Sequence, residues 1–424
     1  MIMEVETSSA SPVKVLGWPA EQGRWFLIPL GMLVLLCLGT VYSWSIFRTP
    51  LQNELGLSAT QSLLPYTCAL FFYAATMPVA GFYIPRLGTR ITAAIGGIVV
   101  GLGYILSSFA TEIGALILTY GLIAGIGVGI VYGVPMVVAS RWFPDQKGLA
   151  VGLTIVGFGL SPLITAPLAN QLITTYTVRP TLRLLGMAFM VIILAISLTL
   201  KLPPQGWHPQ KKTATTQAVS ALPYPENLFK TRSFYALWFC YGIGTLVGLS
   251  AIGISSPVGQ EIIHISPTTA ASSVSLFAVF NGVSRPLFGW LSDRFKPQYI
   301  AVFSYTLILI ACILMSRAQA GQVITYLTAF CLFWFCLGGW LAMAPTLTLR
   351  FFNPDHYAQN YGIVFTAYGV GALLGTLVTG RIRDVLGSYN YVFYPMAGLA
   401  IIGIVISLLF LKRENPRLDP ALPS

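Results

Sequence analysis

Twelve apolar runs of about 20 residues, the length that crosses a hydrocarbon core of about 30 Å, follow one another along this chain. They fall at 25–47, 61–84, 91–110, 113–139, 149–174, 184–200, 234–256, 268–291, 299–316, 323–349, 360–380 and 391–411. A chain built this way is a membrane protein. Only 9% of its residues are charged, against roughly one-quarter in an average soluble domain. The first run is too long for the apolar region of a cleaved signal, and it is expected to stay as an anchor.

The net charge of +11 would suit a nucleic-acid partner, but its placement argues otherwise. With the N-terminus taken as cytoplasmic, the tails and loops on that side hold 17 Lys and Arg, the other side holds 6, and one lies inside a span. That asymmetry is the positive-inside pattern. It predicts both termini in the cytoplasm of a multi-pass protein in the plasma or inner membrane, in contact with the bilayer and with no nucleic acid. The six cysteines all fall in spans, with no CxxC or Cys/His spacing, so neither a disulfide framework nor a metal site is indicated, and no cofactor is expected.

The stretch 202–232, rich in proline and lysine, divides the spans six and six. Gly129, Pro135, Trp142, Pro144 and Asp145 recur at a shift of 210 as Gly339, Pro345, Phe352, Pro354 and Asp355. GFYIPR (81–86) matches GWLSDR (289–294) at a shift of 208. The expected organisation is a tail (1–24), a six-helix bundle (25–201), a cytoplasmic linker (202–232), a second six-helix bundle (233–411) and a tail (412–424). The fold class is thus an all-α membrane protein of 12 transmembrane helices in two pseudo-symmetric bundles. Secondary transporters built from parallel repeats hold substrate at the midplane between the halves.

All thirteen Asp and Glu residues (Glu4, Glu6, Glu21, Glu54, Glu112, Asp145, Glu226, Glu261, Asp293, Asp355, Asp384, Glu414 and Asp419) are read into tails or loops, as are His208, His264 and His356. No intramembrane carboxylate or imidazole relay, and no nucleophile pair for an enzyme, is visible. Arg285 is then the one charge inside a span. It stands eight residues before Asp293, about 12 Å up the helix. An arginine at such depth costs about 3 kcal/mol on insertion scales. A substrate carboxylate would offset this through paired charge-assisted hydrogen bonds, and Asn281, one turn earlier, faces the same anion. The alternative is that Arg285 snorkels to the edge or bonds carbonyls freed by Pro286. Its counterpart in the first half is Met77, and that of Asn281 is Tyr73. A structural arginine would be expected twice, so its single occurrence favours a ligand role.

Several stretches carry a resemblance. GWLSDRF resembles the G-x-x-x-D-R loop of the major facilitator superfamily, on Gly289, Asp293 and Arg294, while Pro85 departs from it in the first half. LGTVYSWSIFRTPL (38–51), GIGVGIVYGVPM and RWFPDQKGLAVG (125–152), LFKTRSFYALW (228–238), NGVSR (281–285) and YGIVFTAYGVGALLG (361–375) are similar to the oxalate/formate antiporter family and its monocarboxylate-transporter relatives. The resemblance implies the major facilitator fold and a gating role for Gly289, Asp293 and Arg294. Animal-type monocarboxylate transporters carry an aspartate where Asn281 stands and a lysine in helix 1, which puts proton symport by their mechanism in doubt. Oxalate exchangers carry a second cation where Tyr368 stands.

The expected function is a secondary transporter of small monocarboxylates such as lactate, pyruvate, glycolate or formate, by alternating access. The partner is a small organic anion, with a proton or counter-anion as the coupled species, and a monomer is expected. Rivals are a dicarboxylate or oxalate/formate exchanger and a transport-dead carboxylate sensor. Arg285 and Asn281 bind the anion, walled by Tyr42, Tyr120, Trp340, Phe365 and Tyr368. An empty carrier with an unpaired buried cation should return slowly, which favours exchange. Glycines 121, 125, 129 and 133 form a bare face for close helix approach, and Gly127 is read as packing rather than nucleotide binding.

Overall fold

The computed structural model describes residues 13–204, 207, 209, 228–353 and 357–412. Asp355, His208 and His356 lie outside the described residues, as does the side chain of Asp293. Eleven described helices are long and apolar enough to cross a membrane. They are α1 (Ala20–Leu55), α2 (Ala59–Leu87), α3 (Thr89–Ser107), α4 (Ile113–Trp142), α5 (Lys147–Tyr176), α6 (Val178–Ser197), α7 (Arg232–Glu261), then α9 (Pro297–Ser316), α10 (Val323–Phe351), α11 (Tyr357–Leu386) and α12 (Phe393–Phe410). The remaining one, α8 (Pro267–Arg294), has 28 residues, about 42 Å of helix. It falls short only in apolarity, because Asn281, Arg285 and a row of serines interrupt its apolar run. The helix with the strongest chemical signal is therefore the one that looks least like a membrane span.

Polar residues set several helix ends. Ser58 and Gln61 form a reciprocal capping box at the start of α2, and Ser266 caps α8, whose first residue is Pro267. These satisfy N–H groups that have no partner inside the helix. Two spans are irregular. α1 tightens to a 3₁₀ turn at Thr40–Ser43, and α4 opens into a π-helix at Ile117–Ala124. A short hairpin, β1 (Lys14–Val15) and β2 (Trp18–Pro19), precedes α1.

Between the halves, α2 lies against α11 and α5 against α8. Within the first half, Gly125 and Gly129 let α4 approach α2 closely. A Cβ on Gly125 would stand 2.7 Å from the Ala69 carbonyl oxygen, and one on Gly129 2.7 Å from that of Tyr73. A Cβ on Gly133 would meet only Ile84 Cδ1 at an ordinary 3.6 Å, so the close approach uses only part of the bare face.

One expectation needs correction. α1 continues as helix to Leu55, and Arg48 is fully buried within it. Arg285 is therefore not the one charge inside a span. The apolar run ends at Phe47, and a hydropathy reading stops there although the backbone does not. Glu54, Glu261 and Asp384 likewise sit in the last turns of α1, α7 and α11 rather than in loops.

Candidate functional site

Arg285 is 3% exposed and Asn281 is fully buried, both on α8 where it crosses α5. The guanidinium Nη1 donates to the Ile155 carbonyl of α5 at 2.8 Å, and Nη2 to Asn281 Oδ1 at 3.1 Å. Asn281 Nδ2 in turn donates to the Trp334 carbonyl at 2.8 Å, which fixes the amide orientation. Arg285 Nε is buried and has no acceptor. Arg285 does not snorkel to an edge, and the carbonyl it meets belongs to α5, not to its own proline-interrupted helix. No carboxylate among the described residues pairs with it. The charge is hydrogen-bonded by neutral oxygens but not neutralised, and an orphaned charged donor in low dielectric is a costly state.

Gly159 of α5 makes this crossing possible. A Cβ there would lie 2.7 Å from Asn281 Oδ1 and 2.9 Å from Arg285 Nε. On the other side, the absence of a Cβ at Gly338 of α10 admits the Asn281 carbonyl and the Ser284 hydroxyl.

Aromatic rings from both halves cluster beside Arg285. Tyr42 of α1 shares a 3.0 Å hydroxyl contact with Tyr368 of α11. Phe158 of α5 stands edge-on to Tyr42 at 5.0 Å and to Tyr132 of α4 at 5.3 Å. Tyr73 of α2 meets Tyr132, Phe365 and Tyr368 at 5.0, 5.3 and 5.6 Å. Phe365 and Tyr368 stack at 4.8 Å. Tyr42, Tyr132 and Tyr241 all lie within electrostatic range of Arg285. The cluster combines one cation, one amide and several phenol hydroxyls in an otherwise apolar wall, which suits one small anion.

Of the residues singled out in the sequence, Tyr42, Phe365 and Tyr368 join this cluster with Arg285 and Asn281. Tyr120 and Trp340 do not. Tyr120 packs against Trp44 with ring centroids 4.3 Å apart inside the first bundle and lines a small apolar cavity with Val41 and Tyr104. Trp340 packs on Gly244 and on Tyr305 at 5.3 Å, inside the second bundle. The G-x-x-x-D-R stretch is expected as a loop but forms the last turns of α8: Arg294, its last residue, lies over Trp290 at 4.3 Å, and Gly289 has open space around it. Sequence reasoning missed Tyr73, Tyr132, Phe158, Trp334 and Gly159. The repeat carried a signal for two of them: Tyr73 is the counterpart of Asn281 at the 208 shift, and Phe158 that of Tyr368 at the 210 shift.

A long chain of twelve spanning helices in two repeats, with a charged crossing between them, narrows the family, and sequence comparison decides it. The family model of the Major Facilitator Superfamily matches residues 30–262 and again 243–424. The chain belongs to the major facilitator superfamily. It is a multi-pass membrane transporter of that superfamily. It is 28% identical to an oxalate:formate antiporter of Oxalobacter formigenes, over 92% of each chain. It is 26% identical to monocarboxylate transporter 11 of Homo sapiens, over 91% of this chain and 82% of that one. Among solved structures, a bacterial homologue of the human lysosomal transporter Spinster, in an inward-facing and occupied conformation, superposes with a TM-score of 0.69. That match covers 92% of this chain and 97% of the other at 15% identity, and it bears on the fold alone.

Proposed function

We propose that this protein moves small monocarboxylates of the lactate, pyruvate, glycolate or formate type across the plasma or inner membrane by alternating access. Both termini face the cytoplasm, and transport rather than catalysis is its activity. The anion binds at Arg285 with Asn281 beside it, and the two halves rock past each other around that site. The observation that carries this reading is Arg285 itself: a buried guanidinium at the junction of the halves, held by two neutral oxygens, with Nε unpartnered and no carboxylate among the described residues paired with it. A substrate carboxylate supplies the missing charge.

Without substrate, the Ile155 and Asn281 oxygens hold the guanidinium but leave its charge in place. Return of the empty carrier is then slower than return of the loaded one, and exchange outpaces net flux. A dicarboxylate or oxalate/formate exchanger is the second reading, favoured by the name of the Oxalobacter relative. Against it stands Tyr368, a neutral phenol whose hydroxyl already bonds Tyr42.

Counterflow into proteoliposomes tests both. Labelled lactate should enter faster into vesicles preloaded with lactate or formate than into empty ones, with little acceleration by internal oxalate. Acceleration by oxalate alone would favour the dicarboxylate reading. Lactate bound but not moved would point to a sensor.

A further inference from the structure

Arg48 of α1 is fully buried, seven residues before the end of its helix and so about 10 Å from the face where α1 ends and α2 begins. Nε donates to Ser62 Oγ at 3.1 Å, Nη1 to the Gly253 carbonyl at 3.0 Å, and Nη2 approaches the Ala59 carbonyl, Ser62 Oγ and Tyr389 Oη at 3.0, 2.9 and 2.9 Å. Every acceptor is neutral. The nearby acids are engaged elsewhere: Asp384 accepts from the start of α2, at Ser58 Oγ, Ala59 N and Thr60 N, and Glu261 pairs with Arg383 at 2.8 Å.

The acceptors divide by half. Ser62 and Ala59 belong to the same half as Arg48, whereas Gly253 of α7 and Tyr389 before α12 belong to the other. If the halves separate on this face, as the proposed transport cycle requires, Nη1 loses its one acceptor and Nη2 loses one of three. Ser62 and Ala59 keep the guanidinium anchored. What remains is a fixed arginine with its outer edge free, the geometry that takes a carboxylate through two parallel bonds.

We propose that Arg48 is a second carboxylate site, hidden while this face is closed and presented at its mouth when the halves part. It would receive the anion ahead of Arg285. Because an ion pair with a carboxylate outcompetes the neutral acceptors of the other half, an anion at Arg48 also holds that face open.

This rests on the rocking of the halves but not on flux, so it is tested without transport. Arg285→Gln protein in oriented proteoliposomes, with the central site disabled, is treated from that face with p-hydroxyphenylglyoxal, and Arg48 modification is read by peptide mass spectrometry. Modification should be slow, about tenfold faster once Tyr389→Phe removes one acceptor, and slowed again by external lactate but not by chloride at equal ionic strength. Arg48 left unmodified in both proteins, or modified at a rate lactate does not change, overturns the site. Protection by chloride equal to that by lactate overturns its carboxylate class. Loss of lactate uptake by wild type, with Arg48 still protected, would instead count against the central reading.

Discussion

Arg285 meets Ile155, Asn281 and the bare backbone of Gly159 in one crossing, and each contact is adjustable by a single substitution. Gly159→Ala places a methyl group within 2.9 Å of Arg285 Nε and 2.7 Å of Asn281 Oδ1, so the guanidinium must shift. Lactate affinity should fall about tenfold, since charged hydrogen bonds of this kind are worth roughly 1.5–3 kcal/mol. Gly398→Ala, where a Cβ meets open space, should leave it unchanged; binding titrations on both variants check this. Asn281→Asp supplies the anionic partner that Arg285 lacks. Lactate uptake should then drop at neutral pH and recover on acidification, as protonation of the new carboxyl frees the cation. Uptake in Asn281→Asp that is pH-independent would show that Asn281 does not face the anion. Arg285 and Asn281 were legible in the sequence because a permanent charge in an apolar run has few explanations. Gly159 was not, because one glycine among 41 gains meaning only from what packs against it.

At the scale of elements, α8 and α5 carry the proposed site across the halves, while α1 and α11 meet beside it through the Tyr42–Tyr368 hydroxyl pair. Tyr368→Lys would place a second cation beside Arg285. It should shift counterflow from lactate toward oxalate, measured as the ratio of the two initial rates; an unchanged ratio would remove Tyr368 from the site. The spans themselves were readable from runs of apolar residues, and the repeat located the division between halves. Helix ends were less readable: α1 outruns its apolar stretch by a full two turns and carries Arg48 into the interior. The aromatics divided for a related reason. Tyr120 and Trp340 share their helices with site residues but point into their own bundles, and periodicity along one helix does not say which neighbour it faces.

Across the whole molecule, the face where α1 begins and α12 ends is fastened within the first half by Arg24. It is paired to Asp145 at 2.6 Å, bonded to the Trp142 carbonyl and laid over Phe143 at 4.5 Å. The hydrogen bond from Arg24 holds the Asp145 carboxyl below its ordinary range. A carboxylate with a depressed folded-state pKa contributes stability above its unfolded value of about 3.9, and loses it as pH falls through the lower folded value. Asp145→Asn should therefore lower the melting temperature at neutral pH while leaving the protein less sensitive to acid below pH 4. Equal melting shifts at pH 7 and pH 3 would contradict the pairing. The opposite face, where α1 ends and α2 begins, is fastened between the halves by Asp384 of α11, which accepts from the start of α2, and by Arg48, so opening there breaks polar bonds. Towards the face where α1 begins, Gly362 of α11 packs against Pro78 of α2.

The most direct measurement is initial uptake of labelled lactate into proteoliposomes holding wild type, Arg285→Gln or Arg285→Lys, each verified as folded by its melting curve. Saturable uptake in wild type, reduced about a hundredfold in Arg285→Gln by loss of two charge-assisted bonds and partly retained in Arg285→Lys, is the expected result. Uptake that is undiminished in Arg285→Gln would contradict the assignment of this arginine to the transported anion.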